Sequence, residues 1–312
     1  MNEQHSENSL TICAVYHSPE TRALLDMNVA FVRRMNPGSD IRWLVSDNSP
    51  NATREMRTEG LVTIIKGAAA PADVPAWARG SYHHAAGLNL LMPYITTRFV
   101  LFLDVDFFLV LANWTTLIIS HMRKKNLAIF GAPYHPRDHR KYRYFPCVYC
   151  LFLDGSQIKF IDLDFSPDMR TASLGRLRRW CMQKLPEKIL GKRYSIRGSK
   201  DTGFKFYEKF YNKRGVCFEY VIPVWHVTRS LIEYVLPERW CLVPKRKSFI
   251  SRKGFAEYGH TNLAALDGEE FVWNGGPFGF HIKSGTNKMK ESTKEKTAFL
   301  NSVLAEFILP HT

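Results

Sequence analysis

Two carboxylates one residue apart close the segment Phe99-Val-Leu-Phe-Leu-Asp104-Val-Asp106-Phe-Phe108. Hard oxygen donors at that spacing suit Mg2+ or Mn2+, ions that commonly share their coordination with the phosphates of a substrate. The chemistry expected first is therefore a metal–diphosphate site, where the cation neutralises charge building on a leaving phosphate. Such a pair is weak evidence in isolation, because Asp162-Leu163-Asp164 has the same spacing. Around that second pair, Phe160-Ile-Asp-Leu-Asp-Phe-Ser-Pro167 predicts a strand whose alternation simply turns both acids to solvent. Only the first pair ends a run apolar on both faces. That pattern marks a strand buried within a sheet, and ligands of open α/β sheets bind at the carboxyl ends of such strands.

The elements needed to position the pair can be read on either side of it. Residues 10–16 predict a strand. After Ser18-Pro19, Leu25, Val29 and Val32 fall on one helical face, and Asn36-Pro37-Gly38 stops that helix. Strands are expected over 41–45 and 61–65, and a helix over 81–92 leads into the acid-bearing strand. This alternation of strand and helix is the pattern of a parallel sheet with crossover helices. Further on, the periodicity predicts a helix over 114–124 and strands over 127–131 and 147–153. The connection Tyr134-His-Pro-Arg-Asp-His-Arg-Lys-Tyr-Arg143 is basic and aromatic. In the basic block 174–197, Leu174, Leu177, Trp180, Cys181 and Leu185 stand at helical spacing, suited to packing on the protein itself or to lying on an anionic membrane. In the tail, Phe299, Leu300, Val303, Leu304, Phe307 and Ile308 share one face and predict a docking helix.

Composition limits the partners. The chain has 312 residues with 45% hydrophobic content, enough for a sizeable core. Its 43 Lys and Arg against 29 Asp and Glu give +14, which favours anionic partners without choosing among nucleotides, acidic polymers and membrane surfaces. Residues 1–9 lack the basic and apolar regions of a signal peptide, and the apolar stretch 99–119 is broken by Asp104, Asp106 and Asn113. Six scattered cysteines read as reduced thiols rather than a disulfide framework. Cys147-Val-Tyr-Cys150 has zinc spacing but no second close pair to complete a four-thiolate site, so no metal is assigned to it. A cytoplasmic protein follows, with peripheral contact at the inner face of the membrane left open by the basic block.

From Leu10 to Phe108 the order of elements resembles the nucleotide-sugar-binding half of a GT-A-fold glycosyltransferase, and Asp104-Val105-Asp106 matches that family's Asp-X-Asp signature in spacing and context. The likeness is one of pattern; it covers the first third of the chain well and the remainder loosely. It implies an α/β, Rossmann-like, mostly parallel central sheet flanked by helices, with a C-terminal helix. It also implies a donor half over 1–107, an acceptor half of the same domain over 108–286 and a helical tail over 287–312. In that family the second strand ends in an acid that reads base or ribose, which here is Asp47 of Val45-Ser-Asp-Asn-Ser-Pro50. The loop and helix that follow correspond to Gly80-Ser-Tyr-His-His-Ala-Ala-Gly-Leu-Asn89, with His83 and His84 as helix-face contacts near the donor. The second acid, Asp106, becomes the metal ligand, with Asp104 in the metal shell or near the ribose. A late histidine often completes the shell, and His281 of Phe278-Gly-Phe-His281-Ile-Lys-Ser-Gly285 is the candidate, although His226 and His260 compete for that role. Lys283 and Ser284 would meet diphosphate oxygens. If the reaction inverts configuration it needs a base, and Asp201 in Ser199-Lys-Asp201-Thr-Gly-Phe204 stands where the resemblance puts one. The same aspartate is equally well placed as a helix N-cap, and in a retaining enzyme it would orient the acceptor. Tyr134, His135, Arg137, Arg140, Tyr142, Arg143, Trp225 and Trp273 form the candidate acceptor side, with Trp273-Asn-Gly-Gly-Pro277 as a closing loop.

The expected activity is transfer of a sugar from a UDP- or GDP-linked donor to a glycan, lipid-linked, small-molecule or anionic acceptor, with Mn2+ or Mg2+ as cofactor and no nucleic acid as partner. A nucleotidyltransferase is the enzymatic alternative, but it usually wants a glycine-rich phosphate loop after the first strand, and Tyr16-His-Ser-Pro-Glu20 is not one. A non-catalytic binder of nucleic acid or other anionic polymer would use the basic stretches at 137–143 and 245–247. It leaves the acid pair, Asp47 and the late histidine without a common explanation.

Overall fold

The computed structural model describes residues 9–50, 52, 56–74, 76, 78–135, 144–168, 200–224, 268–282, 300–302, 304 and 305. Leu10–Tyr16 (β1) is buried along its whole length, as a strand covered on both faces must be. Ser18 then opens the helix Pro19–Met35 (α1) with a capping box: its hydroxyl accepts from the Thr21 N–H, and the Thr21 hydroxyl accepts from the Ser18 N–H. Of the predicted apolar face, Leu25 and Val32 are buried and Val29 is half-buried, and Leu24, Phe31 and Met35 are buried as well. Ile41–Asp47 (β2), Arg57–Glu59 (β3), Val62–Lys66 (β4), Arg79–Leu91 (α2) and Phe99–Leu103 (β5) follow. As expected, the apolar run ends at the acid pair: β5 stops at Leu103, immediately before Asp104. The backbone turns over Asp104–Phe107, where the Phe107 N–H donates to the Asp104 carbonyl at 3.0 Å, and resumes as Phe107–Leu109 (β6).

Trp114–Lys125 (α3), Ile129–Pro133 (β7) and Pro146–Asp154 (β8) occupy nearly the predicted positions. The strand expected over 160–167 is absent. Phe160–Asp162 forms a 3-10 turn, and Asp164 folds back to accept from the Ser166 N–H at 2.8 Å, a local bond that competes with extended pairing. The helix expected from Asp201 onward is Phe204–Phe210 (α4), with Gly203 at φ 85° in the cap position instead of an aspartate. Phe218–Tyr220 (β9), Ile222–Pro223 (β10), Gly268–Trp273 (β11) and Gly276–Ile282 (β12) complete the strands. Residues 300–302 and 304–305 are helical, with Leu300 and Leu304 packed into the main core.

The main sheet runs β3-β4-β2-β1-β5-β8-β7-β9. Its centre, β4-β2-β1-β5, is parallel; β3 and β8 run against it, and β7 and β9 are parallel to each other. The fold is thus α/β with a mostly parallel sheet flanked by helices. A smaller antiparallel sheet, β10-β11-β12-β6, brings residues from the far end of the chain beside the segment that follows Asp106.

Candidate functional site

The chain builds outward from β1 to β2 and β4, then returns to lay β5 on the other side of β1. The strand order therefore reverses at β1, and the crevice at the carboxyl ends there is where open α/β sheets take ligands. The β1–β2 register ends with Tyr16 opposite Asp47, and on the other flank Cys13 lies opposite Phe102, so the 104–107 turn emerges directly beside the end of β1.

Asp104 and Asp106 leave this turn half-buried, with side chains 25% and 20% exposed. The β6–β12 register sets His281 opposite Phe107, and the Ile282 N–H donates to the Asp106 carbonyl at 3.0 Å. Nε2 of His281 consequently comes within 3.2 Å of the Asp106 carboxylate. Its Nδ1 meets the fully buried Glu269 carboxylate at 3.0 Å, across the β11–β12 pair. The ring stacks on Tyr149 at 4.8 Å and 22°, and Tyr149 stacks in turn on Phe107 at 5.5 Å and 17°. Burial pulls the His281 pKa down, but the Asp106 and Glu269 carboxylates outweigh it and hold the imidazole well above its usual range.

One donor atom each from Asp104, Asp106 and His281 lie within 4.8 Å of one another. Octahedral coordination at about 2.1 Å puts neighbouring ligands about 3 Å apart and opposed ones about 4.2 Å apart, so these three need only small adjustments to share one cation. Two carboxylates and an imidazole form a donor set that Mn2+ accepts readily, and a carboxylate behind a ligating histidine is the usual device for aiming it. The residues fit such an ion.

His84 reaches the same place from α2, its Nε2 3.3 Å from Asp104 Oδ1. His17, just after β1, is pulled below its normal pKa by burial first and then by the neighbouring His84 charge, against the opposing pull of Asp106. Asp47 ends β2 as expected, but its carboxylate is engaged within the protein. It accepts from the Ser49 hydroxyl at 2.6 Å and the Ser49 N–H at 3.1 Å, and Arg57 lies 3.7 Å away. Although burial opposes ionisation, these donors and the Tyr16 hydroxyl hold its pKa below the usual carboxylate range. Asp201 accepts from the Thr202 N–H at 2.8 Å, and the Thr202 hydroxyl donates to the Ser81 carbonyl at 3.0 Å, one turn before His84 on α2.

Several candidate acceptor residues prove to be walls. Tyr134 is buried and donates to the Thr202 carbonyl at 3.2 Å; His135 is buried against the Val224 carbonyl at 2.9 Å. Trp273 packs on His121, Phe130 and Phe278. Its loop is a tight hairpin turn with Asn274 at φ 50° and Gly275 at φ 83°. Five strand residues separate that turn from His281, about 20 Å at strand rise, so it does not close over the acids. Lys283, Ser284, Arg137, Arg140, Tyr142, Arg143, Trp225, His226, His260 and the blocks 174–197 and 245–247 lie outside the described residues. Cys147 and Cys150 are buried thiols of β8.

Glu269, His17 and Asn28 did not stand out in the sequence. Glu269 lies twelve residues before His281, a separation that pairs them only once the hairpin register is known. Asn28 did carry a signal: it is a polar residue between Leu24, Leu25, Phe31 and Val32 on the buried stripe of α1.

In structure the chain is similar to solved glycosyltransferases of the GT-A class. Two structures of the galactosyltransferase LgtC, one an active-site mutant and one a complex with donor and acceptor sugar analogues, give TM-scores of 0.38 and 0.37. Each is 15% identical, covering 67% of this chain and 72% of that one. The mannosyltransferase PcManGT from Pyrobaculum calidifontis, in complex with GDP-Man and Mn2+, gives a TM-score of 0.34 at 8% identity, covering 52% of this chain and 48% of that one. TarS from S. aureus gives 0.33 at 10% identity, covering 54% and 53%. No protein family and no curated protein matches the sequence. Among the described residues no helix is long and apolar enough to cross a membrane.

Proposed function

We propose that this chain is a metal-dependent glycosyltransferase that moves a sugar from a UDP- or GDP-linked donor to a glycan, lipid-linked, small-molecule or anionic acceptor. The observation that carries the reading is the convergence of Asp104, Asp106 and His281 at the point where the strand order reverses, with His281 aimed by a buried carboxylate. Asp104, Asp106 and Nε2 of His281 would hold Mn2+ or Mg2+, which when bound draws off the charge that develops on a departing diphosphate. His84 adds a donor group beside Asp104, and the polar network around Tyr16, Asp47 and Arg57 lies at the end of β2, on the donor side of the crevice. Asp201 is proposed as the base that takes the acceptor proton in an inverting transfer; its link through Thr202 to the start of α2 supports a place near the acids. Lys283 and Ser284 are assigned to the diphosphate on their proximity in sequence to His281 alone. The reading carries the division into a donor half over 1–107, an acceptor half over 108–286 and a tail over 287–312. It also carries a cytoplasmic location, with the basic block 174–197 as the segment to test for membrane contact.

The test is thermal stabilisation by nucleoside diphosphates and by UDP- and GDP-linked sugars, with and without Mn2+, on wild type and Asp106→Ala. A ligand at about a hundred times its Kd contributes roughly 2.7 kcal/mol, a readily visible shift. The expected result is a metal-dependent shift for one nucleotide that disappears in Asp106→Ala. A lack of response from folded wild type to every nucleotide would reject the proposal.

A further inference from the structure

Every carbonyl of the Asp104–Phe107 turn receives a donor. The Asp104 carbonyl accepts from the Phe107 N–H and the Asp106 carbonyl from the Ile282 N–H, each at 3.0 Å. The other two, Val105 and Phe107, both accept from a single side chain: Nδ2 of Asn28 on α1, at 3.4 and 2.8 Å. Asn28 is 0% exposed, and its own Oδ1 has no hydrogen-bond partner among the described residues. A buried acceptor without a partner is a cost that an apolar side chain on the same stripe would avoid. What Asn28 supplies against that cost is its amide, whose donor hydrogens go to the backbone that flanks Asp106.

We infer that Asn28 is a positioning residue for the metal site: by tying the Val105 and Phe107 carbonyls to α1 it fixes the turn that points Asp104 and Asp106 at His281. Ligand donors must be held to a fraction of an ångström to share one ion, and this turn is the only covalent link between the two carboxylates. The inference rests on the metal-site reading above, and the experiment separates the two.

Mn2+ affinity is measured by titration, with no nucleotide present, on wild type, Asn28→Leu and Asn36→Ala, alongside thermal unfolding of the metal-free proteins. Asn36 is the matched control, a buried asparagine at the end of α1 whose Oδ1 accepts from the Thr115 N–H and hydroxyl. Loss of an outer partner of a metal ligand typically costs about ten- to a hundredfold in affinity. Asn28→Leu is expected to bind Mn2+ at least about tenfold more weakly than wild type, while Asn36→Ala keeps wild-type affinity whatever its loss of stability. Should Asn28→Leu not fold, Asn28→Ala is read the same way. Wild-type affinity in the Asn28 variant, or an equal loss in Asn36→Ala, would overturn the positioning role and leave the metal site standing. Failure of wild type itself to bind Mn2+ would sink the metal site, and the role of Asn28 with it.

Discussion

Glu269 governs how His281 can act. A fully buried carboxylate 3.0 Å from Nδ1 keeps the proton on that nitrogen and leaves Nε2 as the face turned toward Asp106. Glu269→Gln keeps the shape and removes the charge. Its amide can still meet Nδ1, but it no longer favours one tautomer or raises the basicity of the ring. The expected outcome is a loss of about tenfold in Mn2+ affinity with a small change in melting temperature, read by calorimetric titration. Unchanged affinity would show that Glu269 serves only the packing of the β11–β12 hairpin. Asp47 teaches the opposite lesson. Its position at the end of β2 follows from the pattern of apolar residues, but its carboxylate oxygens already accept from Ser49 and lie beside Arg57, so a nucleoside would meet a braced acid.

Helix α2 brings His84 to Asp104, and it does so by lying close on the sheet. A Cβ on Gly87 would stand 2.9 Å from Asn48 Nδ2 and 3.0 Å from Val15 Cγ2. Replacing a mid-helix glycine by alanine ordinarily stabilises by roughly 0.5–1 kcal/mol. Overpacking a close contact costs about 1–3 kcal/mol, and Asn48 cannot easily give way, since it bonds the His83 carbonyl and the Ser46 hydroxyl, each at 2.8 Å. The second effect should win: Gly87→Ala is expected to destabilise by about 1 kcal/mol in urea unfolding. A stabilised variant would mean that α2 can lift from β1 and β2 without loss. The same element shows the limit of local signals. Periodicity places α2 to within two residues and the apolar run ends β5 at the acid pair, but nothing in Val105-Asp106-Phe107 announces that Asn28 holds the turn there.

At the scale of the whole molecule, Asp164 joins parts remote in sequence: it accepts from Asn89 on α2 at 3.1 Å and pairs with Lys205 on α4 at 2.8 Å. Burial works against its ionisation, but Lys205, Ser166 and Asn89 bring its pKa down to about 2. The folded state therefore binds this proton less readily than the unfolded chain. The contribution to stability is complete above the ordinary carboxylate range near pH 4 and is lost as pH falls toward 2. Asp164→Asn should lower the melting temperature at pH 6 and converge on wild type near pH 2. At 41% exposure the interaction is screened, so added salt should narrow the gap. A constant difference at every pH would assign the effect to shape instead of charge. The sequence by itself determined the parallel α/β centre and the place of the acid pair, because buried strands need long apolar runs and helices need their own period, both of which are local. Tertiary structure alone decided that His281 and Glu269 stand behind Asp106 and that Asn28 clamps the turn. Each of these depends on a register or contact between residues far apart in the chain, and local pattern carries no information about that separation.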